Sequence, residues 1–219
     1  VSDALAVATQ NDKIYIFSGT YSDALTIAVS DVLLYGPNYN IHGNETRSEE
    51  ANITALTTVN AANVTINGLK HTKAIKVGAN YTTITNCYIA PTATVACNGN
   101  NRQGCIVDSA NISDLTVSNC YINAPGSSNS YANQYMSFTN VSNLIIQGNF
   151  ITNSNCQTSN ASYNGMRIYT SGGFIRVIGN EFRWGEGGSL MNLGTSTNNC
   201  TEISIIEWFN FDCWWYFCK

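Results

Sequence analysis

Short runs of β-branched and aliphatic residues, each closed by a small polar corner, recur along the chain. They read Val32-Leu33-Leu34-Tyr35-Gly36, Val64-Thr65-Ile66-Asn67-Gly68, Thr83-Ile84-Thr85-Asn86-Cys87, Leu115-Thr116-Val117-Ser118-Asn119-Cys120, Leu144-Ile145-Ile146-Gln147-Gly148-Asn149, Ile175-Arg176-Val177-Ile178-Gly179-Asn180 and, more loosely, Ile203-Ser204-Ile205-Ile206-Glu207. With Leu34, Ile66, Ile84, Val117, Ile146, Val177 and Ile205 as equivalent positions, the steps are 32, 18, 33, 29, 31 and 28 residues. An imperfect period in this range is the mark of a solenoid, whose repeats bury their apolar faces only by stacking on one another.

Further short strands lie between these runs, at 74–77, 104–107, 136–138, 165–168 and 189–193. No helical pattern of crossover length separates them, which excludes a βαβ topology. Three short strands per coil, each pairing with its counterpart above and below, make a parallel β-helix. The start, Ser2 to Gln10, reads as a capping helix, and Lys13 to Tyr21 as an alternating strand ending in a glycine corner. The polar stretch from Asn38 to Glu50 reads as a solvated loop leaving the body. Insertions rich in Gly, Ser, Asn and Thr fall at 90–103, 123–134 and 152–163. The predicted organisation is a single all-β domain: a cap over 1–12, coils over 13–207 and an aromatic end over 208–219.

That end holds Trp208, Phe209, Phe211, Trp214, Trp215, Tyr216 and Phe217. A solenoid must cover its terminal coil, so the segment is either the last coil with its cap or an assembly interface for another subunit.

Composition narrows the function classes. Charged residues are 11% of the chain, the formal charge is −4 and no basic stripe exists, so a nucleic-acid footprint is not expected. No apolar stretch reaches the ~20 residues of a membrane span. No signal peptide is visible and the first residue is Val1, which reads as a processed product. Asparagine supplies 30 of 219 residues, suiting a fold with many left-handed corners and stacked side-chain ladders. Eight N-x-Ser/Thr sequons stand at Asn44, Asn52, Asn63, Asn80, Asn111, Asn140, Asn160 and Asn199, against roughly six expected from the composition.

The eight cysteines are even in number and lack paired C-x-x-C spacing, and His is limited to His42 and His71, so no metal or other cofactor is expected. Cys87 and Cys120 occupy equivalent places in successive coils, which lie about 4.8 Å apart, within the range a disulfide accepts. Cys97 with Cys105 and Cys213 with Cys218 could close short loops, leaving Cys156 with Cys200. The alternative is a ladder of buried thiols. A disulfide set places the chain in an oxidising, extracellular compartment.

The run Lys13-Ile14-Tyr15-Ile16-Phe17-Ser18-Gly19-Thr20-Tyr21, then Leu25-Thr26-Ile27, then Val32-Leu33-Leu34-Tyr35-Gly36-Pro37-Asn38, resembles the opening coils of pectin-lyase-like right-handed parallel β-helix proteins. The later Ile-x-Asn-Cys-Tyr-Ile and Ile-Gln-Gly-Asn-Phe-Ile repeats look like the same family's coils, and the resemblance covers most of residues 1–210. It implies the fold but no single activity, since the superfamily holds lyases, hydrolases, adhesins and structural proteins. Lyases of the family carry a carboxylate cluster for calcium with a basic proton acceptor, and its hydrolases a trio of aspartates near His and Arg. This chain has no Asp-Asp pair and no Gly-His-Gly, and beyond residue 31 its aspartates are Asp108, Asp114 and Asp212.

The remaining candidate for chemistry is a cluster of Arg167, Arg176, Glu181, Arg183, Trp184 and Glu186, with Trp184 as a platform for a sugar ring. It makes a polysaccharide-active enzyme or a glycan-binding adhesin the rival reading, provided its side chains share one face. The favoured expectation is an extracellular, disulfide-containing, N-glycosylated structural rod without catalytic residues. Its expected partners are other copies of itself or other surface proteins.

Overall fold

In-register parallel pairing converts the repeat into a coil with three faces. The computed structural model describes residues 1–96, 103–125, 134–152, 164–183, 189–195 and 200–206. The first face stacks Lys13–Tyr15, Leu33–Tyr35, Thr65–Asn67, Thr83–Thr85 and Ile112–Ser118. It continues through the second halves of Gln134–Gln147 and Asn164–Ile178 to Cys200–Ile206. The second face stacks Gly19–Tyr21, Ala51–Ile53, Lys70–His71, Tyr88–Ile89, Tyr121–Asn123, Phe150–Thr152 and Glu181–Arg183. The third begins with Leu25–Ile27, Thr57–Val59, Ile75–Val77 and Gln103–Asp108. It then takes the first halves of the two long strands and ends on Ser189–Thr195.

The equivalence read from the sequence is the observed register. Leu34 pairs with Ile66, Ile66 with Ile84, Ile84 with Val117, Val117 with Ile146, Ile146 with Val177 and Val177 with Ile205. Alternation along each strand turns this column inward, where Leu34, Ile66, Ile84, Val117, Ile146 and Val177 are fully buried. A second inward column runs Ile53, His71, Ile89, Ile122, Ile151 and Phe182. His71 is its polar member, with Nδ1 3.2 Å from Thr57 Oγ1 on the third face.

Several boundaries differ from expectation. The helix spans Ser2–Val7 rather than reaching Gln10, because Ala8 is already extended (ψ 147°). Its Leu5 is buried against the Leu25–Ile27 end of the interior. Lys13 to Tyr21 is two strands joined at a corner around Ile16–Ser18. In later coils the third and first faces merge into strands of 14 and 15 residues, which turn the corner through register shifts between Phe138 and Leu144. In chain order 126–133, 153–163 and 184–188 each lie between a second-face strand and a third-face strand, and within the insertion expected at 90–103 the residues Val95–Ala96 pair antiparallel with Gln103–Asp108.

The largest difference concerns residues 38–50. Instead of leaving the body, this stretch lies along the coils as a strap, with Gly43 buried and the Arg47 side chain only 5% exposed.

Candidate functional site

The residue that turns the chain from the first face to the second is left-handed in successive coils. It is Gly68 (φ 73°), Asn86 (φ 53°), Asn119 (φ 53°), Gly148 (φ 62°) and Gly179 (φ 61°). Glycine and asparagine tolerate this conformation where other residues are strained. The strap supplies a donor to the carbonyl at this position in one coil after another. Arg47 Nη2 donates to Gly68 O (3.1 Å) and Nη1 to Asn86 O (2.7 Å). Gly43 N donates to Asn119 O (2.8 Å), and His42 Nε2 lies 2.6 Å from Gly148 O. His42 Nδ1 accepts from Asn44 N (3.1 Å), which leaves the ring proton on Nε2, facing Gly148.

Two features seat the strap. Glu50 takes Arg47 in a bidentate pair, Nε to Oε1 at 2.7 Å and Nη2 to Oε2 at 3.1 Å. At Gly43 an added Cβ would lie 2.2 Å from Tyr121 N and 2.3 Å from Cys87 O, so only glycine allows the approach. Sequence reasoning missed this device. Its one local signal was a lone arginine and a glycine among Glu45, Glu49 and Glu50.

One residue further on, the chain points inward and builds an axial column of Leu69, Cys87, Cys120, Asn149 and Asn180, all buried. Asn149 Oδ1 accepts from Cys120 N (2.9 Å) and its Nδ2 donates to Val117 O (2.9 Å). Asn180 repeats the pattern one coil on, accepting from Asn149 N (3.0 Å) and donating to Ile146 O (3.0 Å). The stacked pair Cys87 and Cys120 is not a disulfide. Both are buried thiols, donating to Thr85 O and Ser118 O at 3.1 Å. This is the ladder alternative, favoured because the column direction offers each sulfur a carbonyl acceptor.

Burial pushes the Cys120 thiol up, and the neighbouring Cys87 adds to it. Burial opposes ionisation of Cys87 too, but the neighbouring Cys120 and His71 draw it below the ordinary cysteine value. Cys105, expected to pair with Cys97, is also a buried thiol, pushed up by burial. Cys97, Cys156, Cys213 and Cys218 lie outside the described residues, and of Cys200 only the strand position is described.

The second face carries an aromatic row on its outer side. Tyr88 and Tyr121 stack at 4.5 Å between centroids, and Tyr121 and Phe150 at 5.6 Å. Lys70 caps one end over Tyr88 and Arg183 the other over Phe150. The ring faces cover one another along the axis, so the row stiffens the sheet and presents edges outward. At the first coil Tyr15 and Phe17 are solvent-facing, 61% and 81% exposed, and Tyr15 stacks on Tyr35 at 5.4 Å.

The proposed sugar patch is not assembled. Arg167 lies on the third face, buried at 7% exposure over the Tyr169 ring, with Nε and Nη1 unpartnered. Arg176 lies on the first face against Phe174. Glu181 and Arg183 form an exposed pair on the second face. Trp184 and Glu186, and the aromatic residues Trp208, Phe209, Phe211, Trp214, Trp215, Tyr216 and Phe217, lie outside the described residues.

Of the sequons, Asn63, Asn80, Asn111 and Asn140 fall on the corner leading from the third face to the first. Asn44 is on the strap and Asn52 on the second face, while Asn160 and Asn199 lie outside the described residues. Among the described residues no group of three or more His, Cys, Asp or Glu is placed to hold a metal ion. No described helix is long and apolar enough to cross a membrane. Comparison with family models, with curated proteins and with solved structures returns no match.

Proposed function

We propose that this chain is a rigid β-helical subunit of an extracellular surface layer, appendage or filament. We place it among the structural members of the pectin-lyase-like right-handed parallel β-helices. The observation that carries the reading is the direction of its buried polar groups. The Arg47 guanidinium, the Asn149 and Asn180 amides and the strap donors all bond along the axis, from coil to coil. Polar groups used this way resist bending and unwinding.

Other copies of the chain or other surface proteins are its partners. Contacts run through the aromatic segment Trp208–Phe217 and the exposed first coil, with N-linked glycans on the sequons. The rival reading, a polysaccharide-active enzyme or glycan adhesin, needed Arg167, Arg176 and Glu181 together, and their separation over three faces counts against it.

Electron microscopy of the native-source protein, with native mass at high concentration, tests the proposal. Ordered filaments or sheets support it, and a strict monomer at high concentration sinks it.

A further inference from the structure

The described sequons differ sharply in how their amides are used, and this sorts them. Asn44, Asn80 and Asn111 are exposed, and their Nδ2 atoms make no hydrogen bond. Asn80 Oδ1 accepts from Ser113 N (2.9 Å), and Asn111 Oδ1 accepts from Asn140 Nδ2 (2.5 Å). In both cases the oxygen faces the next coil and the nitrogen is left for solvent. Asn52 and Asn140 are only half exposed, and each has its amide oxygen sealed from solvent without a partner. The Asn140 nitrogen is also spent on Asn111. Asn63 is exposed, but its nitrogen donates to Asp31.

Resting on the reading of a secreted structural glycoprotein, we propose that Asn44, Asn80 and Asn111 carry N-linked oligosaccharide while Asn52 and Asn140 stay bare. The oligosaccharide comes from an activated donor, a lipid-linked pyrophosphate sugar: its C1–O bond breaks, C1 bonds to Nδ2, the lipid pyrophosphate departs and the amide loses one hydrogen as a proton. The finished fold must therefore leave that nitrogen in solvent to accommodate the sugar. The sugar also needs open space beside the amide. Exposed Asn80 and Asn111 provide both, and their oxygens keep their coil-to-coil bonds after conjugation. At Asn140 a sugar would displace the contact with Asn111, and at Asn52 it would have to lift the amide out of a row packed between Thr20 and Lys70. The Thr82 hydroxyl of the Asn80 sequon is buried and donates to Ala79 O (3.0 Å). Modification at Asn80 therefore precedes closure of that coil.

The consequence is a sugar-bearing edge. Asn80 and Asn111 sit in adjacent coils at the corner between the third and first faces, and Asn44 sits at the opposite end of the first face, on the strap. The outer side of the second face, with its Tyr88–Tyr121–Phe150 row, is left without glycan.

The test is site-resolved glycopeptide mapping of the full 219-residue chain, secreted from a eukaryotic host behind a cleavable leader, alongside the same mapping on native-source protein. The assignment predicts most molecules occupied at Asn44, Asn80 and Asn111 and under a tenth occupied at Asn52 and Asn140. Asn80→Gln and Asn111→Gln each remove one glycan from the intact mass, whereas Asn140→Gln removes none. Occupancy at Asn52 or Asn140 matching that at Asn80, or bare Asn80 and Asn111 on folded host-made protein, overturns it. Should secretion fail, mapping the chain retained in the host membranes gives the same comparison. A host pattern as predicted with every sequon bare in the native protein would overturn the secreted-glycoprotein reading and leave the ranking of sites intact.

Discussion

Replacing Arg47 by methionine should release the strap. The guanidinium is 5% exposed and Glu50 20%, and the pair is bidentate at 2.7 and 3.1 Å, with further bonds to the Gly68 and Asn86 carbonyls. An exposed pair would contribute about 0–1 kcal/mol. Removing one partner of a buried pair costs about 3–5 kcal/mol, because the remaining charge is stranded. The lost carbonyl bonds overlap with that figure rather than adding to it: once the strap lifts, water reaches Gly68 O and Asn86 O. For a chain of this length the loss corresponds to a fall in Tm of about 6–20 °C. Urea unfolding measures the loss, and hydrogen exchange at the Gly43 amide, which bonds Asn119 O at 2.8 Å, reports whether the strap has opened. Arg47→Met with Glu50→Gln should recover much of the stability by removing both charges. A loss below about 1 kcal/mol with Gly43 still protected would show that the strap is ordinary surface, and the reasoning would fail.

Gly43→Ala should unseat the strap without touching a charge, since its Cβ would meet Tyr121 N at 2.2 Å; exchange at the Gly43 amide should rise while the coil amides stay protected. Asn149→Ala strands Cys120 N and Val117 O in the core and should cost about 2–5 kcal/mol by urea unfolding, with Asn149→Ser recovering little. Burial holds the Asp108 carboxyl above its ordinary value, despite bonds from Thr139 and Asn140. The folded state therefore holds this proton more tightly than the unfolded chain, so the contribution of Asp108 is fully present below about pH 4 and is lost as pH rises through the raised value. Asp108→Asn should match wild type near pH 4 and exceed it at pH 7 in urea titrations; equal pH slopes for the two proteins would refute this. Cys87, Cys105 and Cys120 should resist alkylation in the native protein and react once it is unfolded without reductant, and failure to react after unfolding would restore the disulfides.

The inward columns were legible because burial imposes a strict period of two within a strand and a recurring apolar residue between coils. Leu34, Ile66, Ile84, Val117, Ile146 and Val177 satisfy both, and so does the left-handed corner, which selects Gly or Asn at Gly68, Asn86, Asn119, Gly148 and Gly179. The merged strands were not legible. Phe138 to Leu144 passes from one face to the next by register shifts, and its polar Thr139 and Asn140 look like any turn. The strap was hidden for another reason. His42 reaches Gly148 across 106 residues, and a segment bonding through backbone carbonyls leaves no pattern of side chains to match.

The candidate sugar patch shows how sequence proximity misleads in this fold. Arg167, Arg176 and Glu181 lie within fifteen residues, which invites grouping them, although nine residues of extended strand already span about 30 Å. In a three-faced coil a strand-plus-turn step rotates the chain to another face, and the three residues point in three directions. Residues meet instead at coil spacing. Asn149 bonds Asn180 across 31 residues, Asn140 bonds Asn111 across 29 and Ser118 bonds Thr85 across 33. A reactive or binding cluster on such a chain must therefore be sought among residues separated by one coil, in register on the same face. At that spacing amides and hydroxyls bond one another and also meet carboxylates, Thr139 with Asp108, Asn143 with Asp114 and Ser18 with Glu49, in bonds from coil to coil, the arrangement expected of a rod whose polar groups serve its stiffness.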